Sequence, residues 1–256
     1  MKHALNQLIA SVSVILAPDK PTVYLYGSCV LDDFRPGWSD IDLLMLTPHA
    51  LTRQQAERLV PLRQELLAKE PGNPYYRAFE GAVVSVKAFL SGDEEPAAYW
   101  GTSGERVRMG YSLDCFSMLC LLEHGELICG EDVRHLLHPP TRAELRRAVA
   151  GHLATIRQHG RGAPSLYAYG WLLDTARCLY TLRTGRIIAK TAAGEWALRE
   201  GLCPDAEALR RAIAARRNPA EADMDYACGF TEAIQRFASV GEGEMGIRND
   251  ELGMMN

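Results

Sequence analysis

The sequence contains no apolar run that approaches the roughly 18 residues needed for a membrane-spanning helix. It holds seven cysteines but no Cys-x-x-Cys pair, and its 28 basic residues are outnumbered by 32 acidic ones. We also find no internal repeat. These absences argue against a membrane protein, a disulfide scaffold and a protein that binds nucleic acid through bulk positive charge. We therefore expect a cytoplasmic protein without membrane or nucleic-acid partners.

What is present is the composition of an ordinary globular protein, 256 residues long with 47% hydrophobic residues. This length favours two domains. Cys115, Cys120, Cys129 and His124 lie close together in the chain, but their spacing fits an apolar helix face better than a zinc site, so we interpret them as reduced core residues. The apolar run after Met1 is interrupted by polar residues and predicts an amphipathic helix rather than a signal peptide.

The first half of the chain mixes strand and helix patterns. Alternating β-branched and aromatic residues predict a strand that ends at Gly27-Ser28, and a second strand follows a polar stretch. The predicted elements are strands over 22–26, 40–46 and 78–90, helices over 51–69 and 111–124, and a loop or short helix over 91–111.

The second half reads as helical throughout. The predicted helices cover 142–159, 167–183, 191–200, 204–217 and 220–240. Pro139-Pro140 cannot continue a helix and marks a domain boundary. We predict an α+β protein, with a mixed β-sheet and helices in domain 1–139, an all-α helical-bundle domain over 140–240 and a flexible tail over 241–256.

Two carboxylates and a glycine turn form the most informative pattern. Asp40 and Asp42 are two residues apart on a predicted strand, so both point to the same face. Two like charges side by side are unfavourable unless a cation lies between them, and Mg²⁺ prefers one or two carboxylates together with phosphate oxygens. Gly27-Ser28, separated from Asp40 by eleven intervening residues, would let a phosphate approach the backbone. Glu80, inside an apolar strand, faces either this site or solvent at a sheet edge.

These residues match a known pattern. Tyr26-Gly-Ser and Ser39-Asp-Ile-Asp-Leu-Leu resemble the signature of the polymerase-β-like nucleotidyltransferase superfamily. Thr184-Gly-Arg-Ile-Ile-Ala-Lys and the following Glu195-Trp-Ala-Leu resemble the C-terminal motif of the aminoglycoside adenylyltransferases that modify streptomycin and spectinomycin. The resemblance spans about residues 22 to 200 and implies a nucleotidyltransferase enzyme of antibiotic resistance.

The resemblance implies a role for each matching residue. Asp40 and Asp42 would bind Mg²⁺, and Glu80 would act as the general base. The residues implied to contact ATP are Gly27, Ser28, Ser39, Arg177 and Lys190. Trp100 and Asp114 are the candidates for contacting the antibiotic. The implied reaction is transfer of AMP from ATP to a drug hydroxyl by a monomeric enzyme, with release of pyrophosphate.

Other acceptors and functions stay open. The segment 163–170 lacks the acids that the resemblance implies for holding streptomycin. The acceptor therefore stays open between an aminoglycoside or aminocyclitol, a lincosamide, another metabolite and a protein side chain. A nucleotide-binding regulator without turnover is an alternative, although all three carboxylates are present. An RNA-tailing polymerase is disfavoured because the chain has no basic stripe.

Overall fold

The computed structural model describes residues 1–246, which divide into two compact units, Met1–Pro139 and Pro140 onward. The first unit contains a mixed β-sheet with helices, and the second is helical, which confirms the predicted fold class. Within residues 1–246, no helix combines the length and apolar character needed to cross a membrane.

The first unit is built around a six-stranded sheet. Its elements are α1 (Lys2–Leu16), β1 (Thr22–Tyr26), β2 (Ile41–Thr47), α2 (Arg53–Leu59), α3 (Leu62–Lys69), β3 (Phe79–Ser85), α4 (Val86–Ser91), β4 (Pro96–Gly101), β5 (Gly104–Met109), α5 (Cys115–His124) and β6 (Glu126–Cys129). The strand order is β5-β4-β3-β2-β1-β6. Only the β2–β3 pair in this order is parallel, and the other neighbours are antiparallel.

One face of the sheet carries the apolar core of this unit. Side chains from alternate positions of β2 and β3 pack with α1, α2 and α3, as the alternation of side chains along a strand requires. The core includes Leu8, Val12, Leu43, Leu59 and Val83, each fully buried. The carboxylates of Asp42 and Glu80, at the even positions of these strands, are therefore directed to the opposite face.

The second unit consists of α6 (Arg142–His159), α7 (Leu166–Thr184), α8 (Lys190–Arg199), α9 (Ala206–Arg217), α10 (Met224–Ala227) and α11 (Thr231–Glu244). Thr141 and Glu144 form a capping box that satisfies backbone N–H groups at the start of α6. Gly185, at φ 71°, ends α7 in the left-handed conformation that favours glycine. Helix α7 is central in the packing and contacts α6, α8, α9 and α11.

Several predicted boundaries in the first unit were wrong for local reasons. Pro61 divides the helix predicted over 51–69 into α2 and α3. The strand predicted over 78–90 ends at Ser85, whose hydroxyl accepts the Ala88 N–H and starts α4. Residues 91–111, predicted as loop or short helix, contain the β4–β5 hairpin. The helix predicted from residue 111 begins at Cys115, and β6 was missed.

The end of the second unit also differs from prediction. The single helix predicted over 220–240 is interrupted, because Asp223 caps the short α10 and a 3₁₀ turn at Cys228–Phe230 precedes α11. Helix α11 continues to Glu244 with Gly241 and Glu242 buried, so the predicted tail does not begin at residue 241. Residues 247–256 of that tail lie outside the described residues.

Candidate active site

The sheet brings three carboxylates of the first unit together at the start of its two parallel strands. Asp42 is the second residue of β2 and Glu80 the second of β3, and the parallel register pairs them directly. Asp40 immediately precedes β2. Because neighbouring strands are about 4.8 Å apart and paired residues share a face, these carboxylates form one acidic cluster on the face opposite the core.

The acidic cluster changes the titration of its members and neighbours. Burial raises the pKa of Glu80, and the negative charge of Asp40 raises it further, while the hydrogen bond from Tyr99 lowers it. Burial and the charge of Asp42 together raise the pKa of Cys29 to about 12. Negative charge is thus concentrated at this end of the sheet.

Gly27 follows β1 at the point where β1 pairs with Asp42 through Tyr26. Its φ is 72°, and a Cβ at this position would lie 1.8 Å from Asp42 Oδ2. A side chain is therefore excluded by the carboxylate as well as by the backbone conformation. From the sequence, we expected this glycine to let a phosphate approach the backbone. In the structure, the backbone N–H of Gly27 donates to Cys120 Sγ at 3.3 Å.

The two predicted serines occupy different environments. Ser28 is partly buried, and its hydroxyl lies 3.5 Å from the Asp40 carbonyl oxygen, which places it beside the acidic cluster. Ser39 is buried, and its hydroxyl oxygen accepts the backbone N–H of Arg35 at 2.9 Å. Ser39 therefore closes the loop that leads into Asp40, whereas Ser28 faces the carboxylates.

Three tyrosines surround the acidic cluster, and sequence reasoning assigned none of them a role. The Tyr99 hydroxyl donates to Glu80 Oε1 at 3.2 Å. Tyr111 is hydrogen-bonded to Tyr26, and burial raises its pKa to about 12. Burial also holds the pKa of Tyr26 well above its ordinary value, with the charge of Asp42 contributing. Tyr26 and Tyr111 are therefore protonated near neutral pH, and all three side chains bring hydroxyl groups close to the carboxylates.

The two candidates for contact with the antibiotic are placed differently from each other. Trp100 is only 1% exposed, packs in the core and donates its indole N–H to the backbone carbonyls of Leu59 and Val60. Its predicted contact with the antibiotic is corrected, because strand alternation turns Trp100 to the core face and Tyr99 to the carboxylate face. Asp114 caps α5 through the Ser117 N–H at 2.7 Å, and its charge reaches Tyr26.

The second unit holds Lys190 and Arg177 around a buried acid. Asp174 on α7 accepts from Lys190 Nζ and from Arg177 Nη2, each at 3.0 Å. Burial alone raises the pKa of Asp174, but the charges of Lys190 and Arg177 outweigh it and lower the pKa to about 2. Burial lowers the pKa of Lys190. Sequence reasoning missed Asp174, because a lone acid in an apolar helix carries no signal of its partners.

The first unit offers a donor set suited to a hard divalent cation. Among residues 1–246, no three His, Cys, Asp or Glu side chains converge in the geometry of a complete metal site. Mg²⁺ does not require one, because it is usually held by one or two carboxylates, with water and substrate phosphate oxygens completing its shell. Asp40 and Asp42 supply such oxygens, and Glu80 lies beside them, with its pKa raised mainly by burial and further by the charge of Asp40.

The comparisons with known proteins agree with this arrangement. Residues 8–75 match the model of the nucleotidyltransferase domain, and residues 135–240 match that of the aminoglycoside adenylyltransferase C-terminal domain. The fold is similar to the crystal structure of spectinomycin adenyltransferase AAD(9) from Enterococcus faecialis with ATP and spectinomycin. The TM-score is 0.69 at 16% identity, over 94% of this chain and 99% of that one.

The two models match different parts of the chain, each in the unit where the corresponding site residues lie. The predicted enzyme class is thereby confirmed. The protein is a nucleotidyltransferase that carries the C-terminal domain of the aminoglycoside adenylyltransferases.

Proposed function

We propose that the protein transfers AMP from ATP to a hydroxyl group of an aminoglycoside or aminocyclitol antibiotic in a Mg²⁺-dependent reaction. The acceptor oxygen attacks the α-phosphorus, the bond from that phosphorus to the bridging oxygen breaks, and pyrophosphate leaves. The acceptor proton passes to a carboxylate of the enzyme. The match to the C-terminal domain of the aminoglycoside adenylyltransferases supports this reaction, and the pairing of Asp42 with Glu80 across β2 and β3 is the observation that carries it.

Each carboxylate has a distinct task in this proposal. Asp40 and Asp42 hold Mg²⁺, which when bound neutralises charge on the phosphates. Glu80 lies in the adjacent strand and accepts the proton of the acceptor hydroxyl. Burial raises the pKa of Glu80 and thereby makes its carboxylate a better proton acceptor than an exposed glutamate.

The nucleotide phosphates are bound by hydroxyl and cationic groups in this proposal. Ser28 offers a hydroxyl beside the acidic cluster, and Ser39 fixes the loop before Asp40. Lys190 and Arg177 are the proposed phosphate-binding cations, and a lysine ammonium suits polyphosphate as a point charge. The family's C-terminal model covers both cations.

We further propose an aminocyclitol acceptor of low charge, such as spectinomycin, rather than streptomycin. Tyr111 supplies partly exposed aromatic surface, and the exposed Asp114 supplies an acid. Arg106 and Arg108 lie over the Tyr99 ring at 4.9 and 5.5 Å and would repel a strongly cationic drug. The similar AAD(9) structure contains spectinomycin, in agreement with this preference.

Mass spectrometry of antibiotics incubated with the protein, ATP and Mg²⁺ tests the reaction and the acceptor together. We expect an adenylyl-sized mass gain on spectinomycin that exceeds any gain on streptomycin. Glu80→Gln should slow the reaction about 10²- to 10⁴-fold while ATP still binds, the range typical for removal of a general base. Asp42→Asn should weaken the binding of Mg²⁺ and thereby abolish turnover.

Glu57→Gln is the matched control, because Glu57 is exposed on α2 and pairs with Arg53 one helical turn away. It should turn over like the wild type. The absence of a mass gain on every drug, with ATP bound, would contradict the proposed acceptor class. Wild-type turnover by Glu80→Gln would contradict the proposed base.

A further inference from the structure

The hydroxyl of Tyr99 is placed to control the orientation of Glu80. Tyr99 pairs with Ala82 across β3 and β4, and Ala82 shares its face of β3 with Glu80. The ring of Tyr99 is 8% exposed and therefore held by packing, whereas Glu80 is partly exposed. The hydrogen bond of 3.2 Å from Tyr99 to Glu80 Oε1 thus joins a buried residue to a partly exposed one.

Gly101 lies beside Tyr99 and Glu80, and its lack of a side chain leaves room for their contact. A Cβ at Gly101 would lie 2.1 Å from the Tyr99 hydroxyl oxygen and 2.8 Å from Glu80 Oε1. Both distances are too short for real atoms, so any other residue would displace the two groups. Thr102, the next residue, supplies a backbone hydrogen bond to Glu80. The β4–β5 turn is therefore shaped around the Tyr99–Glu80 pair.

The direction of the Tyr99 hydrogen bond is also determined. Ser103 donates its hydroxyl proton to the Tyr99 oxygen at 3.3 Å, and Arg106 donates to the Ser103 hydroxyl oxygen at 3.3 Å. A phenol has a single proton. Because Ser103 already donates to the Tyr99 oxygen, that proton is directed to Glu80. These hydrogen bonds run from Arg106 on the edge strand β5, through Ser103 and Tyr99, to the proposed base Glu80.

We propose that Tyr99 is a positioning residue that holds one carboxylate oxygen of Glu80, so that the other oxygen faces the acceptor hydroxyl. This inference rests on the proposed function, in which Glu80 is the base. A free glutamate side chain has several rotamers, and restricting them raises the fraction of molecules in which the base is correctly aligned. Tyr99 itself takes no proton and touches no reacting atom.

A double-mutant cycle with Tyr99→Phe and Glu80→Gln tests this role. Phenylalanine keeps the ring and removes only the hydroxyl. We expect Tyr99→Phe to lower kcat about tenfold, the effect of one lost hydrogen bond, with KM for ATP changed less than about twofold. In the Glu80→Gln background the same substitution should lower the residual kcat by less than about twofold, because its target is gone.

The matched control is Tyr75→Phe, in which a tyrosine on the core side of the same unit, packed near Phe34, loses its hydroxyl. It should leave kcat unchanged. Ser103→Ala is a second variant that keeps both Tyr99 and Glu80, and it should lower kcat about two- to threefold because the Tyr99 proton is then free to rotate.

The outcomes separate this inference from the proposed function. A tenfold loss that persists in the Glu80→Gln background would show that Tyr99 acts independently of Glu80 and would overturn the positioning role alone. Wild-type kcat in both Tyr99→Phe and Ser103→Ala would overturn it as well. Wild-type kcat in Glu80→Gln would instead refute Glu80 as the base, and the positioning role would fail with it.

Discussion

Replacing Asp174 by asparagine should strongly destabilise the second unit. The Asp174 side chain is 12% exposed and forms ion pairs with both Lys190 and Arg177. Asparagine fills nearly the same volume but leaves both cations without this buried counter-charge. Breaking a buried ion pair by removing one partner typically costs about 3 to 5 kcal/mol. For a protein of this size, we expect the melting temperature to fall by roughly 6 to 12 °C if the loss is about 3 kcal/mol.

The pH dependence of stability gives a second estimate of how much Asp174 contributes to the free energy of unfolding. The pKa of Asp174 is lowered from 3.8 to about 2 in the folded protein. A carboxylate with a depressed folded-state pKa contributes stability above its unfolded-state pKa and loses it as pH falls toward the folded-state value. This shift is equivalent to about 2 kcal/mol, of which about 1 kcal/mol is lost between pH 6 and pH 3.

Urea denaturation of wild type and Asp174→Asn at pH 6 and pH 3 measures both quantities. The difference in free energy of unfolding between the two proteins should be largest at pH 6 and about 1 kcal/mol smaller at pH 3. Glu207→Gln removes an exposed carboxylate that pairs with Arg211 on α9 and should cost less than about 0.5 kcal/mol. Equal midpoints for wild type and Asp174→Asn at pH 6 would refute the reasoning.

Two further predictions concern the first unit. Gly27→Ala should reduce turnover by roughly 100-fold or more, because the added Cβ overlaps Asp42 Oδ2 in the structure. Kinetic titration should show that the variant needs more Mg²⁺ for half-maximal turnover. An unchanged Mg²⁺ requirement would contradict this prediction. Tyr24→Phe should destabilise the protein by about 2 kcal/mol in chemical denaturation, because Asp132 and the Val133 N–H both lose their hydrogen bond to the Tyr24 hydroxyl. We expect kcat to stay within about twofold of the wild type. An unchanged unfolding midpoint would show that these hydrogen bonds contribute nothing to stability.

The sequence was sufficient to identify Asp40 and Asp42 as candidate site residues, but not to predict which residues surround them. Asp40 and Asp42 are two residues apart at the start of an apolar strand, so one local pattern predicts both the strand and the shared face. The contact of Glu80 with them depends on the register between β2 and β3, which is a pairing between distant parts of the chain. Periodicity along one strand contains no information on that register.

The β4–β5 hairpin could not be predicted for a different reason. Strand β4 begins with proline and two alanines, which have weak strand propensity, and β5 is an exposed edge strand with many charged residues. Without a predicted strand, the faces of Tyr99 and Trp100 could not be distinguished, and the tryptophan was assigned to the wrong environment. The burial of Asp174 was equally invisible, since it depends on the packing of α7 and α8.

The position of β5 at the edge of the sheet has a consequence for evolvability. Strand β5 pairs with β4 alone, so substitutions at its outward-facing positions leave the central register of Asp42 and Glu80 untouched. Arg106 and Arg108 are exposed on this strand, on the face that carries the carboxylates. Arg106 is part of the hydrogen-bond chain to Glu80, whereas Arg108 lies over the same Tyr99 ring without being part of that chain. We therefore expect substitutions of Arg108 to change which acceptors approach Glu80, while the pairing of Asp42 with Glu80 is kept.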